Sequence, residues 1–227
     1  MDVKYISKLL IIVYFTSVFL FIISTLFEIN LMREVSFLTR MPIFFVLYYL
    51  NSENKKLLYF LTLFLYQLSS VFYVQEGMQM FFYGSVMSLL FKASVLILLC
   101  SFFKKNNTHA ILIASLPFFV IYLYIIQFVI SALVDSYFIW IMNALITSLI
   151  GGIGIINYLN NSSPKTFWLL ISAILLLVQV GGLFIHKFYM YNMAIYQIVI
   201  LAYTFSQFTF YRFMIFKDNE GLNNSTL

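Results

Sequence analysis

Long apolar runs separated by short polar connections are the feature that most constrains the fold of this chain. A helix needs about 20 apolar residues to cross the hydrocarbon core of a bilayer. Eight segments approach or reach that length, namely 7–27, 36–50, 57–74, 79–103, 109–133, 136–158, 165–187 and 190–216. The runs are continuous and lack the alternation of transmembrane β-strands. The sequence therefore predicts an all-α fold, a polytopic membrane helix bundle with about eight transmembrane helices.

Charged residues are too scarce for a soluble domain of this length. Lys, Arg, Asp and Glu make up 9% of the 227 residues, whereas soluble domains carry about 25%. This scarcity excludes a cytosolic enzyme and a nucleic-acid-binding domain. One cysteine and two histidines cannot build an internal disulfide or a metal cluster. We therefore expect no metal, no cofactor and no nucleic-acid partner.

The basic residues are distributed unevenly when the connections are assigned alternately to the two sides of the membrane. One side receives Lys4, Lys8, Lys55, Lys56, Lys104, Lys105, Lys165, Arg212 and Lys217. The other side receives only Arg33 and Lys187. Because cytoplasmic connections carry the excess of Lys and Arg, both termini are predicted to be cytoplasmic. The short connections suit a bacterial inner (plasma) membrane. Residues 1–216 are predicted to form one helix-bundle domain, and 217–227 a flexible polar tail.

Two basic residues fall inside predicted spans. A lysine at the centre of a span costs about 2.5–3.5 kcal/mol on insertion scales, and Lys92 lies near the middle of the fourth span. It is therefore expected to face the bundle interior, in a functional or a structural role. Arg40 lies in the outer part of the second span, where it could line a pocket or extend to the lipid head groups. No Asp or Glu lies in the interior of a predicted span, which argues against a proton relay or an ion-coupled pump.

Several short motifs occur in a fixed order along the spans. The second span contains Thr39-Arg40-Met41-Pro42, the third ends with Ser69-Ser70, and the fourth has Phe81-Phe82 and Gly84 followed by Lys92. The seventh has Gln179-Val180-Gly181 ahead of Lys187-Phe188, and the eighth has Tyr203 and Gln207. This pattern resembles the YhhN-like lysoplasmalogenase family of small membrane proteins. Each motif is weak alone, but their order and span assignment agree with the family.

The resemblance implies hydrolysis of the vinyl-ether bond of lysoplasmalogens, but this sequence departs from the family pattern. Ser70 and Val180, or Gln179, stand where the resemblance implies two aspartates, and Lys92 replaces a histidine. Vinyl-ether hydrolysis needs a proton donor, for which a carboxyl group is the natural choice. Glu76 could replace a missing carboxyl group only through a shift of register. Whether the protein is an enzyme is therefore left open by the sequence.

The candidate site residues lie at similar depths in different spans and are consistent with one polar pocket open toward the outer leaflet. They are Arg40, Ser69, Ser70, Lys92, Gln179, Tyr203 and Gln207. One reading is a lysoplasmalogenase-type protein that hydrolyses or binds lyso-ether phospholipids. The alternatives are an inactive lipid-binding or membrane scaffold protein and a small transporter subunit. The expected partners are membrane lipids such as a lysophospholipid, whereas the sequence leaves the oligomeric state unknown.

Overall fold

The computed structural model describes residues 2–75, 77–101, 107–133 and 136–223, and these form helices and short connections. The helices are α1 (Val3–Leu26), α2 (Asn30–Leu38), α3 (Arg40–Asn51), α4 (Leu57–Val74), α5 (Met78–Cys100), α6 (Thr108–Phe128), α7 (Ile130–Leu133), α8 (Tyr137–Asn160), α9 (Pro164–Phe184) and α10 (Met193–Asn223). A π-helical turn, Ile185–Tyr189, follows α9 directly. Glu76, Lys104 and Lys105, for which predictions were made from the sequence, lie outside the described residues.

The described part of the chain is an all-helical membrane bundle. Six of its helices are long and apolar enough to cross a membrane: α1, α5, α6, α8, α9 with its π-helical turn, and α10. The apolar part of α4, Leu57–Tyr73, is shorter. The all-α prediction is confirmed over the described residues. Eight crossings and cytoplasmic termini stay predictions.

The predicted span 36–50 is divided between two helices instead of forming one. α2 ends at Leu38 and α3 begins at Arg40, with Thr39 between them. Pro42 has no N–H group and cannot bond to the carbonyl of Leu38, but it is tolerated in the first turn of a helix. The break therefore places the Arg40 side chain at the start of α3, where it can turn into the bundle.

The bundle is held together mainly by neighbouring helix pairs. α4 packs on α5, α6 on α8, α8 on α9, and α9 on α10, while α1 packs on α2 and α3. Gly152 of α8 faces α6 so closely that a Cβ atom there would lie 2.6 Å from the carbonyl oxygen of Ile111. Small residues at such contacts let helices approach closely in a membrane, where packing drives their association.

α10 continues past its predicted span, 190–216, into the sequence that we predicted as a polar tail. It ends at Asn223, and 224–227 lie outside the described residues. Asp218 is buried, and its Oδ2 accepts hydrogen bonds from Tyr48 Oη at 2.6 Å and Ser52 Oγ at 2.9 Å. Glu220 forms an ion pair with Lys165 at 2.5 Å. These contacts hold the end of α10 against the end of α3 and the start of α9.

Candidate functional site

A cavity of about 840 Å³, part of it open to the exterior, lies among the helices. Its lining comes from α1, α2, α3, α4, α5, α8, α9 and α10. Six of the seven residues selected from the sequence are among the lining residues: Arg40, Ser69, Ser70, Lys92, Gln179 and Tyr203. The structure therefore brings together, in one space, side chains that are far apart along the chain.

Arg40 lies at the part of the cavity formed by α1, α2 and α3. Only 2% of its surface is exposed, so the alternative of a side chain extended to the head groups does not describe it. Nε donates to the carbonyl oxygen of Ser36 at 3.3 Å, and Cζ lies 4.2 Å from the centre of the Phe21 ring. Nη2 is buried without a hydrogen-bond partner, and no described carboxylate pairs with this guanidinium. The site therefore contains a buried cation with unused donor capacity.

Lys92 lies at another part of the cavity, between α5 and α8. It is 2% exposed, and Nζ donates to Asn143 Oδ1 at 2.9 Å. Nζ also lies 5.8 Å from the centre of the Trp140 ring. The Asn143 amide group is oriented by its donation to the carbonyl oxygens of Ser85, at 3.3 Å, and Ile139, at 3.1 Å. The carbonyl end of Asn143 is thereby directed at the ammonium group.

The serine residues of α4 are engaged in hydrogen bonds that tie α4 to neighbouring helices. Ser69 Oγ donates to the carbonyl oxygen of Gly84 at 3.0 Å. Ser70 Oγ is hydrogen-bonded to the hydroxyl of Tyr203 and to the carbonyl oxygen of Tyr66. The rings of Tyr66 and Tyr203 stack at 4.3 Å between centres. No described histidine or carboxylate contacts either serine, so a base that could activate them is missing from the described residues.

The two glutamines selected from the sequence have different positions. Gln179 lines the cavity, and its Oε1 is buried without a hydrogen-bond partner. Gln207 is buried but does not line the cavity, and its side chain lies close to the Tyr66 hydroxyl. Gln207 therefore lies behind the wall beside Tyr66, whereas Gln179 is part of the lining and has an unpaired amide oxygen.

Sequence reasoning did not include the aromatic lining in the site. Phe21, Phe37, Tyr66, Tyr73, Phe91, Trp140 and Tyr196 line the cavity. In a chain with 20% aromatic residues, no spacing separates these rings from those that face lipid. Asn143 is a polar residue within an apolar span, and this alone indicates that its side chain faces the bundle interior, where the structure places it beside Lys92.

Charge in the lining is of one sign. Arg40 and Lys92 line the cavity, and none of the described lining residues is acidic. Glu28 and Glu34 are exposed and line two adjoining cavities instead, each of which also includes Arg33. Within the described ranges, no group of three or more His, Cys, Asp or Glu could hold a metal ion. The cavity is therefore suited to an anionic or acceptor-rich ligand with apolar parts.

The fold and the cavity together define a helical membrane protein with a cationic cavity among its helices. Comparisons with protein-family models, with curated proteins and with solved structures give no match. The resemblance to the YhhN-like lysoplasmalogenase family stays a prediction.

Proposed function

We propose that this protein binds a single-chain phospholipid, with its phosphate group at Arg40 and the start of its chain in the cavity. The observation that carries the proposal is the buried guanidinium without an acidic partner. Burying an unpaired charge costs several kcal/mol, and guanidinium donors fit phosphate oxygens in a bidentate geometry. A phosphate group at this position supplies the missing countercharge.

The shape and lining of the cavity support a lipid over a small hydrophilic anion. The cavity is lined by eight helices and is continuous with the exterior, so part of a long ligand can extend out of it. Its wall is mainly apolar and aromatic, with polar groups at a few positions. We propose that the lipid enters from the side of the bundle that holds Arg33, because the adjoining cavities share Phe21, Phe37 and Tyr196 with this one.

The binding test uses Trp140, which lines the cavity, as an internal reporter. The chain has two tryptophans, so a Trp168→Phe background leaves fluorescence from Trp140 alone. A lysophosphatidylglycerol with a dibrominated chain, titrated in detergent micelles, is expected to quench this fluorescence saturably. Arg40→Gln removes a charged donor worth about 1.5–3 kcal/mol, so the affinity is expected to fall about 10–150-fold.

Arg212→Gln in the same background is the matched control. The Arg212 guanidinium lies over the Phe216 ring at 5.4 Å and is not part of the lining. This variant is expected to bind like the background protein. Quenching that does not saturate, or that is the same in Arg40→Gln, would overturn the proposal.

Hydrolysis of lyso-ether phospholipids is the second candidate function. Its specific support is that the motif positions Arg40, Ser70, Lys92, Gln179 and Tyr203 line one cavity. With no described carboxyl group in the lining, the Lys92 ammonium group would donate a proton to the alkene carbon. Water would then add to the oxocarbenium ion, returning a proton to the amine and releasing an aldehyde.

Aldehyde release from a 1-alkenyl lysophospholipid by the purified protein tests the second candidate. Turnover that is lost in Lys92→Met would support it. If the protein binds the lipid measurably but releases no aldehyde, hydrolysis is excluded and only the binding function is supported.

We also propose eight crossings of a bacterial inner membrane, with both termini in the cytoplasm. The support is the distribution of basic residues together with six helices that are long and apolar enough to span. α4 and the α2–α3 pair would provide the other two crossings.

A further inference from the structure

We infer that Lys92 makes this site selective for lipids whose chain is attached through an ester carbonyl, over ether-linked and vinyl-ether-linked chains. The inference rests on the proposed function, because it concerns the same lipid in the same cavity. It assigns to Lys92 the recognition of a second group of the ligand, beyond the phosphate group at Arg40.

The first step is that the two cations serve different parts of the cavity. Arg40 contacts the rings of Phe21 and Phe37, from α1 and α2. Lys92 contacts Asn143 and Trp140, both from α8. A lysophospholipid also has two polar parts, a phosphate group and a chain linkage, separated by a three-carbon glycerol unit. With the phosphate group at Arg40, the linkage is the group available to Lys92.

The second step is the unused hydrogen-bonding capacity of Lys92. An ammonium group has three N–H donors, and only the bond to Asn143 Oδ1 is made within the described part of the chain. The side chain is 2% exposed and lines the cavity. Its remaining donors therefore require an acceptor from the ligand, because a buried donor left unpaired is unfavourable.

The third step is the difference in acceptor strength between the three linkages. An ester carbonyl oxygen carries two available lone pairs and is a strong acceptor. The oxygen of a vinyl ether delocalises a lone pair into the alkene and accepts poorly. An alkyl ether oxygen keeps both lone pairs but lies within the chain between two carbon atoms, whereas the ester carbonyl oxygen projects from the chain toward a donor. Hydrogen bonds from a charged donor are the strong ones. Lys92 therefore stabilises the bound ester lipid more than either ether lipid.

Gln179 adds a second polar contact that suits a single-chain lipid. Gln179 is one of the lining residues, and its Oε1 is buried without a hydrogen-bond partner. A lysophospholipid has one free glycerol hydroxyl, which donates to such an acceptor, whereas a two-chain lipid has none. With the carbonyl group of the ligand at Lys92, Gln179 is thus available as the partner of the free hydroxyl.

The experiment compares three lysophosphatidylethanolamines that share one head group and one chain length and carry 1-acyl, 1-alkyl or 1-alkenyl linkages. Each displaces the dibrominated probe from Trp140 in the Trp168→Phe background. We expect the acyl lipid to bind at least tenfold more tightly than either ether lipid. In Lys92→Met, the acyl lipid is expected to lose that advantage, while the affinities of the ether lipids stay unchanged.

Two further variants separate recognition from a general loss of structure. Lys92→Gln keeps an N–H donor without the charge, and it should retain part of the acyl preference. Lys187→Met removes a lysine that lies 4.1 Å above the Phe81 ring, outside the lining, and it should retain the full preference. Equal affinity for the three lipids, or tighter alkenyl binding, would overturn the inference and leave lipid binding intact. Failure of all three to bind would overturn the proposed function itself.

Discussion

Gly84 stands at a contact where the structure leaves no room for a methyl group. A Cβ atom at this position would lie 2.8 Å from Cδ1 of the Tyr73 ring, which lines the cavity. Gly84→Ala therefore has to displace that ring. Overpacking of this kind typically costs about 1–3 kcal/mol. We expect a lower melting temperature in detergent, and weaker quenching of Trp140 by the brominated lipid because the displaced ring takes up cavity volume.

Gly181→Ala is the control for this substitution. A Cβ atom at Gly181 would have no heavy atom within 4 Å, and alanine is the better helix former. This variant should melt at the same or a higher temperature and bind lipid normally. Unchanged melting and binding in Gly84→Ala would contradict the packing that the structure describes around Tyr73.

Single residues of the site could be predicted where burying the side chain is energetically costly, as for a charged group. The other residues gave little signal. Arg40 and Lys92 were found because charge inside a span needs a reason, and both line the cavity. The neutral lining gave no such signal, since the direction in which Trp140 faces depends on how α8 packs. Gln207 shows the reverse error, because a polar residue at the right depth lies beside Tyr66 instead of lining the cavity.

The helix α2 contributes to the lining of the main cavity and of the two adjoining ones. Phe37 of α2 lines both the main cavity and the cavity beside α4, and its ring lies 5.6 Å from the guanidinium carbon of Arg40. α2 packs mainly on α1, so cavities are left on its other sides. Phe37 is therefore shared between the part of the main cavity that contains Arg40 and the cavity beside α4.

Phe37→Ala is therefore expected to accelerate the release of bound lipid. Removing the ring opens a path between the two cavities without removing a polar contact of the ligand. Stopped-flow dissociation of the brominated probe should become at least severalfold faster. Val35→Ala on the same helix, where the valine side chain is exposed, should release the probe at the original rate. A slower or unchanged release from Phe37→Ala would show that lipid leaves by another route.

Most helices could be located from the apolar runs, but the ends depend on other contacts. The boundary between α2 and α3 follows from Pro42, whose missing N–H group cannot continue the hydrogen-bond ladder. The prediction treated that stretch as one span because its apolar residues continue across Thr39. The extension of α10 rests on tertiary contacts of Asp218 with Tyr48 and Ser52, which no local pattern indicates.

At the scale of the whole molecule, the sequence indicates how deep a residue lies in the membrane more readily than the direction in which its side chain points. The apolar runs and the basic connections predict how far each residue lies from the membrane surface. Depth alone placed Arg40, Ser70 and Lys92 in comparable layers, and packing of eight elements was needed to bring them to one cavity. The all-helical bundle was therefore predictable, whereas the shape and the aromatic wall of the cavity were not.

The number of crossings can be tested by cysteine labelling, because the chain has a single cysteine, Cys100. In a Cys100→Ser background, the substitutions Phe27→Cys, Glu53→Cys, Ser162→Cys and Met190→Cys place one thiol in each of four exposed connections.

With eight crossings and cytoplasmic termini, a membrane-impermeant maleimide should label positions 27 and 190 in intact spheroplasts. Positions 53 and 162 should react only after the membrane is opened, because an even number of crossings separates them from the termini. The Cys100→Ser background is the unlabelled control. Labelling of 27 and 53 on the same side would mean that α2 and α3 do not cross, leaving seven spans and opposite termini.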